Sequence, residues 1–238
     1  MHIAPTLSII LPCFNPPKAW EEIIVQEYQA LCQNLFNEKI ELIIINDGSD
    51  EQKIKSKEFI TIKIPNMIWI DRKDNRGKGF SLRKGVVRAV APKIIFTDID
   101  FPYERDSFIK IYEALKENDI AIGIRSLDYY NNMPIARVWT SKILRWMIRT
   151  FLRIPTDDTQ CGLKGFNQKG KEIFLATTID RYLFDLEFIF LAARHKLSIS
   201  KVEVQLREGV VLSKLNLSFI LNEFSNFLKI VVLTYWRK

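Results

Sequence analysis

Two carboxylates one residue apart, Asp98 and Asp100, are the side chains of this sequence best suited to hold a divalent cation. They follow the apolar run 94–96, which reads as the start of a buried strand. Side chains alternate along a strand, so both carboxylates are expected to leave it on the same side. Close carboxylates repel each other in a dry site, and Mg²⁺ or Mn²⁺ held by few protein ligands usually takes its remaining ligands from phosphates. The pair therefore predicts a metal site that binds a nucleotide diphosphate.

Two further polar segments lie beside predicted strands and helices. Residues 46–49 read Asn-Asp-Gly-Ser after an apolar strand, and residues 75–79 read Asn-Arg-Gly-Lys-Gly before a helix. Taken singly, the first can be only a turn with side-chain hydrogen bonds, and the second only a helix start. Because the carboxyl ends of parallel strands meet at one edge of a sheet, we expect both segments to lie near Asp98 in a ligand crevice.

Alternating strand and helix patterns position these segments. Strands are predicted at 7–11, ended by Pro12, and at 40–45, 67–70 and 94–100, with helices at about 19–35 and 75–90. Nearly continuous apolar strands are typical of parallel sheets covered on both faces. The sequence therefore predicts an α/β fold, a doubly wound and mostly parallel sheet with helices on both faces. We expect one domain at residues 1–212 and an amphipathic helix at residues 213–238.

Composition narrows the class of partner and compartment. The chain of 238 residues carries 35 Lys and Arg against 28 Asp and Glu, and this net charge of +7 favours an anionic partner. Charge alone does not choose among nucleotide, nucleic acid and acidic lipid. Three scattered cysteines and no recognisable secretion signal predict reduced thiols and a cytoplasmic protein.

The motifs of the first half resemble the family-2 glycosyltransferases, which have the GT-A fold. Pro12-x-x-Asn15, the segments at 46–51 and 75–79, and Thr97-Asp98-x-Asp100 occur in the order and spacing of that family. The resemblance implies that the first loops hold the base and ribose of a nucleotide sugar, and that the D-x-D pair carries a metal on its diphosphate. The sequence departs from the family pattern at Pro16 and Asn46, where acidic residues are usual. The implied donor-binding residues are Pro12, Asn15, Asp47, Gly48, Ser49, Lys78 and Asp98.

Motifs in the second half resemble the polyprenyl-phosphate sugar transferases, the group that contains dolichyl-phosphate glucose and mannose synthases. The run 158–166, Asp-Thr-Gln-Cys-Gly-Leu-Lys-Gly-Phe, carries most of this resemblance, and Phe-Asp-Leu-Glu at 184–187 adds to it. Arg125 and the pair Arg137 and Ser141 also match that group, in which such arginines receive the acceptor phosphate. A polar turn between a helix and a strand is the alternative for the run, but it would not require those arginines.

An acceptor phosphate suits the chemistry of these residues. A phosphate monoester is already anionic at neutral pH, whereas a sugar hydroxyl must be deprotonated by a positioned base. The site must then neutralise charge, which Arg125, Arg137 and Arg207 would do, Arg207 having the weakest case. We place Asp158 and Gln160 beside the anomeric centre as orienting groups, without requiring that Asp158 act as a base. If the acceptor were a saccharide hydroxyl instead, Asp157 or Asp158 would be the base.

Two amphipathic segments suggest contact with an anionic membrane surface. Basic residues recur at helical spacing from 142 to 153 between apolar ones, and an apolar stripe follows between 220 and 235. The longest apolar run near the C-terminus is far shorter than the ~20 residues that a transmembrane helix needs. We therefore predict peripheral attachment to the cytoplasmic face of a membrane. The alternative is that the C-terminal helix packs against the protein or a second subunit.

Together these features predict an inverting, metal-dependent transferase that moves a hexose from a nucleotide sugar to polyprenyl phosphate. UDP-glucose is the favoured donor and GDP-mannose the second, and Mg²⁺ or Mn²⁺ is the expected cofactor. A homo-oligomer is left open, and nucleic acid is not an expected partner. One alternative is transfer to a saccharide hydroxyl. The alternative from another class is an inactive nucleotide-binding or membrane-associated module, which Pro16 and Asn46 would favour.

Overall fold

The computed structural model describes residues 4–55, 57–125, 135–152, 154–156, 158–208 and 225–232, without the side chains of 135–140 and 144. Within these residues seven strands form one sheet. The strands are β1 (Leu7–Cys13), β2 (Ile40–Asp47), β3 (Ile68–Arg72), β4 (Lys93–Phe96), β5 (Ile120–Arg125), β6 (Lys164–Phe166) and β7 (Ile199–Val204). Their order across the sheet is β3-β2-β1-β4-β6-β5-β7.

The sheet is mostly parallel, as predicted. Strands β1 to β4 pair in parallel, and β5 pairs with β7 in parallel. The short strand β6 runs antiparallel to both of its neighbours, β4 and β5. Strand β6 is the end of the 158–166 segment, and this segment therefore lies directly beside β4, the strand that precedes Asp98.

Helices cover both faces of the sheet. They are α1 (Trp20–Asn34), α2 (Lys57–Lys63), α3 (Lys78–Arg88), α4 (Arg105–Ala114), α5 (Ile135–Phe151), α6 (Gln168–Leu175), α7 (Phe184–Arg194) and α8, at residues 225–232. One core lies between the sheet and the helices α1, α2 and α4. The second core lies on the opposite face under α3, α5, α6, α7 and α8. The predicted fold with helices on both faces is confirmed.

Aromatic packing explains the position of the second core. Phe166 of β6 stacks on Phe174 of α6 with ring centroids 5.1 Å apart, and Phe174 meets Phe188 of α7 edge-on at 5.0 Å. All three rings are fully buried. Aromatic pairs at such distances add about 0.5–1.5 kcal/mol each beyond the burial of their area. They fix α7, and with it the 184–187 motif, against the sheet.

Two predicted strand boundaries were wrong. Strand β1 does not end before Pro12 but continues to Cys13, with Pro12 opposite Ile45 of β2. The Ile10 carbonyl accepts from Thr97 N at 3.3 Å on the β4 side, and by alternation the Pro12 nitrogen faces that side too. Strand β4 has already ended there, at Phe96, so the missing N–H of Pro12 leaves no ladder partner unsatisfied.

The second boundary concerns the D-x-D motif. Because β4 ends at Phe96, Asp98 and Asp100 lie in a turn and not on a strand. Their proximity therefore comes from the turn and not from strand alternation.

The C-terminal segment is described only at residues 225–232, which are helical. Phe227 and Ile230 of α8 are buried in the second core, and the ring centroid of Phe151 lies 6.3 Å from that of Phe227. The opposite side of α8 exposes Leu228 and Val232. Most of the predicted 213–238 helix lies outside the described residues.

Candidate active site

The D-x-D motif lies in a loop at residues 97–104, called here the carboxylate loop. Asp98 is 40% exposed, and its Oδ1 lies 2.5 Å from Nζ of Lys78. Burial lowers the pKa of Lys78, but Asp98 and Asp185 outweigh it and the pKa is raised. Lys78 is therefore charged, and it rests on the carboxylate to which a divalent cation would bind.

The surroundings of Asp100, unlike those of Lys78, disfavour its charged form. Burial, followed by the repulsion of Asp98, raises the pKa of Asp100 above its ordinary value. Among the described residues no three His, Cys, Asp or Glu side chains cluster as a closed metal cage. Mg²⁺ is commonly held by one or two carboxylates plus substrate phosphates, so an open pair of carboxylates fits such an ion. The donor set therefore suits a metal bound together with a diphosphate.

The loops after β1 and β2 are joined by two hydrogen bonds of 3.0 Å, and a third of the same length lies within the loop after β2. Ser49 Oγ accepts from Asn15 N, Asn15 Oδ1 accepts from Asp50 N, and Asn46 Oδ1 accepts from Ser49 N. Gly48 has φ +74°, and an added Cβ would lie 2.8 Å from Asn75 N. Only glycine fits there without strain. The two predicted donor loops are thus one connected surface.

Asp47 faces inward and holds the glycine loop, residues 75–79. Its carboxylate accepts from Gly77 N at 2.7 Å and Arg76 N at 3.2 Å, and it lies 3.4 Å from Arg72 Nε. Asp47 is 3% exposed. It therefore positions Lys78, the first residue of α3, through the backbone of the glycine loop. The sequence did not reveal this arrangement, because the contact spans 29 residues.

Glu187 of the 184–187 motif supports the glycine loop from the other side. Its carboxylate accepts from Thr178 N, Thr178 Oγ1 and Ile179 N, each at 2.8 Å. The chain then passes so close to the glycine loop that a Cβ on Gly77 would lie 2.6 Å from Asp180 O. Glu187 is thus a buried anchor beneath the loop that carries Lys78.

The 158–166 segment contacts the carboxylate loop directly. An added Cβ at Gly162 would lie 2.5 Å from Asp98 Oδ2, so a larger residue there would displace the Asp98 side chain from this position. Gly162 N donates to Tyr103 Oη at 2.8 Å. Lys164 is fully buried and pairs with Asp185 at 2.9 Å, which joins the 158–166 and 184–187 motifs in one ion pair. Tyr103 was not identified from the sequence.

Asp158 forms a buried ion pair with Arg125. Its Oδ2 accepts from Arg125 N at 2.8 Å and from Arg125 Nε at 3.1 Å, and Arg145 Nη2 lies 3.6 Å away. Burial raises the pKa of Asp158, but the hydrogen bonds and charge of Arg125 outweigh it, so the pKa is lowered. Asp158 is therefore a fixed anion and a weak base, which suits an orienting role.

A cavity of about 380 Å³, called here the arginine cavity, opens beside this ion pair. Its cationic lining consists of Arg125, Arg145, Arg149 and Lys201, with Asp158 as the carboxylate. Ile124, Ile148 and Ile154 supply apolar wall. The sequence placed Arg145 on a membrane-facing stripe, but its side chain turns toward Asp158. The available signal in the sequence was its position four residues after the acceptor candidate Ser141, which places both residues on the same face of a helix.

The remaining candidate residues lie at different places. Ser141 is half-buried on α5, and Gln160 is exposed. Arg137 lies in the helical part of α5, but its side chain and all of Asp157 lie outside the described residues. Arg207 contacts Glu27 at 3.3 Å and donates to the Asp100 carbonyl.

The fold and these motifs agree with the comparison to protein families. Residues 8–172 match the family described as glycosyl transferase family 2. The match covers more than half of the chain, so this protein belongs to glycosyl transferase family 2. The family predicted from the sequence is confirmed.

Its curated relatives point to one branch of that family. A dolichyl-phosphate beta-glucosyltransferase of Trichomonas vaginalis is 25% identical over 240 residues, covering 95% of this chain and 73% of the relative. The enzyme of the same name from Drosophila melanogaster is 28% identical over 221 residues, covering 85% and 67%. The human one is 25% identical over 218 residues, covering 85% and 67%. These relatives are of the polyprenyl-phosphate kind that the sequence resembled.

Solved structures show the same fold. Glucosyl-3-phosphoglycerate synthase of Mycobacterium tuberculosis in complex with UDP has a TM-score of 0.67 at 16% identity, with 96% of this chain and 79% of the other covered. Its complex with Mn²⁺, UDP and glucosyl-3-phosphoglycerate has a TM-score of 0.61 at 15% identity, with the same coverage. At this identity the likeness concerns the fold alone, and it confirms the predicted GT-A architecture.

Proposed function

We propose that this protein is an inverting, metal-dependent hexosyltransferase that moves glucose from UDP-glucose to a polyprenyl phosphate of the dolichyl type. The observation that carries the proposal is the 158–162 segment, which joins two complementary sites. At one end Asp158 holds Arg125 in the arginine cavity, and at the other Gly162 contacts Asp98. A site for a metal-bound diphosphate thus adjoins a site for a second anion. GDP-mannose is the second candidate donor.

On the donor side, Asp98 and Asp100 would hold Mg²⁺ or Mn²⁺, and the ion would neutralise the leaving nucleotide diphosphate. Lys78 would turn from Asp98 to a diphosphate oxygen, since its ammonium lies at this carboxylate. The joined loops of Asn15 and Ser49 would receive the nucleoside. Asp47 and Glu187 keep the glycine loop in place during this exchange.

On the acceptor side, Arg125 and Arg145 would bind the phosphate, with Arg137 and Ser141 of α5 as further contacts. Four cationic side chains and one carboxylate line the arginine cavity. This excess of positive charge strongly stabilises an anion in a partly enclosed site. Its isoleucines would contact the first apolar units of the lipid. Phosphate attack from the face opposite the nucleotide inverts the anomeric centre and gives a β-linked product.

The two alternatives have less support in the structure. Transfer to a saccharide hydroxyl needs a base. Of the two candidate bases, Asp158 is ion-paired with a lowered pKa, and Asp157 lies outside the described residues. An inactive module was suggested by Pro16 and Asn46. Of these, Asn46 preserves its loop by accepting from Ser49 N and donating to Asp71, both at 3.0 Å. The departure from the family pattern at Asn46 therefore leaves the loop geometry intact.

Nucleotide binding provides a direct test of the donor assignment. We expect saturating UDP to raise the melting temperature by roughly 5–10 °C when Mn²⁺ is present, because binding at about 100 times Kd adds ~2.7 kcal/mol to stability. UDP with a chelator and Mn²⁺ alone are the controls, and each should shift the temperature far less. Equal shifts with and without metal would contradict a metal-bound diphosphate, and a larger shift with GDP would favour the second donor.

We also propose that α5 and α8 face a membrane surface. Exposed apolar side chains cluster on these helices: Ile143, Trp146, Phe151, Leu228 and Val232. The ring of Phe151 lies 6.3 Å from the rings of Trp146 and of buried Phe227, so α5 and α8 adjoin and present these exposed side chains on neighbouring helices. Lys142 and Arg149 lie beside them on α5, which suits anionic lipid. Among the described residues no helix combines the length and apolar character needed to cross a bilayer.

The membrane proposal predicts two separable contributions to binding: an electrostatic one that salt screens and an apolar one that salt does not screen. Trp146→Ala should weaken binding to anionic liposomes at high salt by about ten-fold or more, since an inserted apolar side chain contributes about 1.5–3 kcal/mol and is not screened. Phe36→Ala is the matched control, because Phe36 is 79% exposed but follows α1 on the other face of the sheet. Sedimentation with vesicles measures both. An equal loss in the two variants would contradict the membrane proposal.

A further inference from the structure

The carboxylate loop contains a backbone conformation that needs support. Phe101, directly after Asp100, has φ +44°, a left-handed conformation that is unusual for a bulky residue. Such residues persist where surrounding structure holds them. The Phe101 side chain is buried in the first core, and its N–H donates to Asp98 O at 3.0 Å. The turn that brings the two carboxylates together is therefore fixed by tertiary contacts.

One of these contacts is made by Arg207. Its Nη2 donates to the carbonyl of Asp100, immediately before the left-handed residue. Its own N–H donates to Pro102 O at 2.9 Å, and Glu104 N donates to Gln205 O at 2.9 Å. The segment after β7 is thus hydrogen-bonded along the carboxylate loop. Within this described segment, the guanidinium of Arg207 is the group that reaches the Asp100 carbonyl.

Glu27 of α1 orients that guanidinium. Its carboxylate lies 3.3 Å from Arg207 Nη1 and accepts from Arg105 Nε at 3.2 Å and Nη2 at 3.3 Å. Glu27 is 8% exposed. Arg105 is the first residue of α4, just after the carboxylate loop, so Glu27 is connected to the C-terminal end of that loop and, through Arg207, to Asp100 in its middle.

We infer that Glu27 is a positioning residue for the metal site, acting through Arg207 on the peptide that joins Asp100 to Phe101. This inference rests on the proposed function, and it extends the site to a helix that carries none of its motifs. It also gives Arg207 a task on the donor side, where the sequence suggested an acceptor contact. The carboxylate neutralises one of two arginines, and the remaining positive charge faces the Asp100 carbonyl.

The test compares Glu27→Gln with a matched substitution, Glu41→Gln. Glu41 is also 8% exposed, and it accepts from Val90 N at 2.8 Å at the start of β2, the end of the strand remote from the site. Both variants lose a buried carboxylate and should melt at lower temperature. Only Glu27→Gln should weaken Mn²⁺ affinity in the presence of UDP, by about ten-fold or more, as is typical when a group that orients a metal ligand is lost. The KM for the lipid acceptor should stay unchanged.

Hydrogen exchange of the free protein supplies a readout that needs no ligand. Residues 98–104 should exchange faster in Glu27→Gln than in Glu41→Gln. Arg207→Lys, which keeps the charge but not the forked contacts, should show the same effect, and it replaces Glu27→Gln in the test if that variant does not fold. Unchanged exchange in 98–104 in both Glu27→Gln and Arg207→Lys would overturn the inference. Faster exchange in a protein whose wild type binds no UDP would instead uphold the positioning role and refute the proposed donor.

Discussion

Asp98→Asn and Asp100→Asn are each expected to abolish transfer and metal-dependent binding of UDP, while the fold is kept. Removing a carboxylate ligand takes away one of the few protein contacts to the ion, and metal stabilisation of a leaving group contributes several kcal/mol. A loss of at least about 10³-fold in kcat/KM follows from an effect of ~4 kcal/mol. Asp98 is 40% exposed, and Asp100 carries a raised pKa caused by burial and by Asp98, so neither change should cost much stability.

Asp119→Asn is a suitable control for this experiment. The hydrogen bond from Asn167, together with contacts to Ser198 and Lys169, lowers the pKa of Asp119 to about 2. Asp119 precedes β5, at the end of that strand opposite Arg125. Its loss should lower the melting temperature at neutral pH and leave metal-dependent UDP binding intact. If Asp98→Asn or Asp100→Asn kept most of its activity, the carboxylate pair would not be the metal site.

Arg125→Ala should raise the KM for polyprenyl phosphate by about 10- to 100-fold and leave the Kd for UDP unchanged. Hydrogen bonds to a charged group contribute about 1.5–3 kcal/mol each, and Arg125 presents its guanidinium to the arginine cavity. The substitution also removes the guanidinium that pairs with buried Asp158, which keeps the backbone N–H of residue 125 at 2.8 Å and Arg145 at 3.6 Å. Breaking a buried ion pair by removing one partner costs about 3–5 kcal/mol.

The double variant Arg125→Ala with Asp158→Asn separates these two effects. Removing the stranded carboxylate should recover much of the lost stability, but it should not recover the affinity for lipid phosphate. Acceptor titrations at saturating donor, combined with thermal melts, measure both quantities. If Arg125→Ala weakened UDP binding as much as acceptor binding, Arg125 would belong to the diphosphate side of the site.

The grouping of the candidate donor residues could be predicted from the sequence, because they lie at or just after the ends of parallel strands. Asp47 is the last residue of β2, and Asn15 and Asp98 lie two residues beyond the ends of β1 and β4; parallel strands bring such positions to one edge. The directions in which their side chains point were less predictable. Asp47 faces the glycine loop because the backbone N–H groups of Arg76 and Gly77 reach it, and that depends on how α3 is seated.

The parts that sequence reasoning missed depend on contacts over long distances in the chain. Glu27 meets Arg207 across 180 residues, and no motif marks either as a pair. Arg145 lies in a regular basic stripe, and only the rotation of α5 decides whether it faces lipid or Asp158. The antiparallel strand β6 is three residues long, too short for alternation to reveal its direction.

The most direct test of the proposed activity is transfer of radiolabelled sugar from nucleotide sugars to a membrane lipid extract. With Mn²⁺ present, UDP-glucose should label a lipid product whose sugar is released by mild acid, and a chelator should prevent the reaction. GDP-mannose should label less. Labelling that appears only in material bearing saccharide hydroxyl acceptors, and none in polyprenyl phosphate, would contradict the proposed acceptor and favour transfer to a glycan.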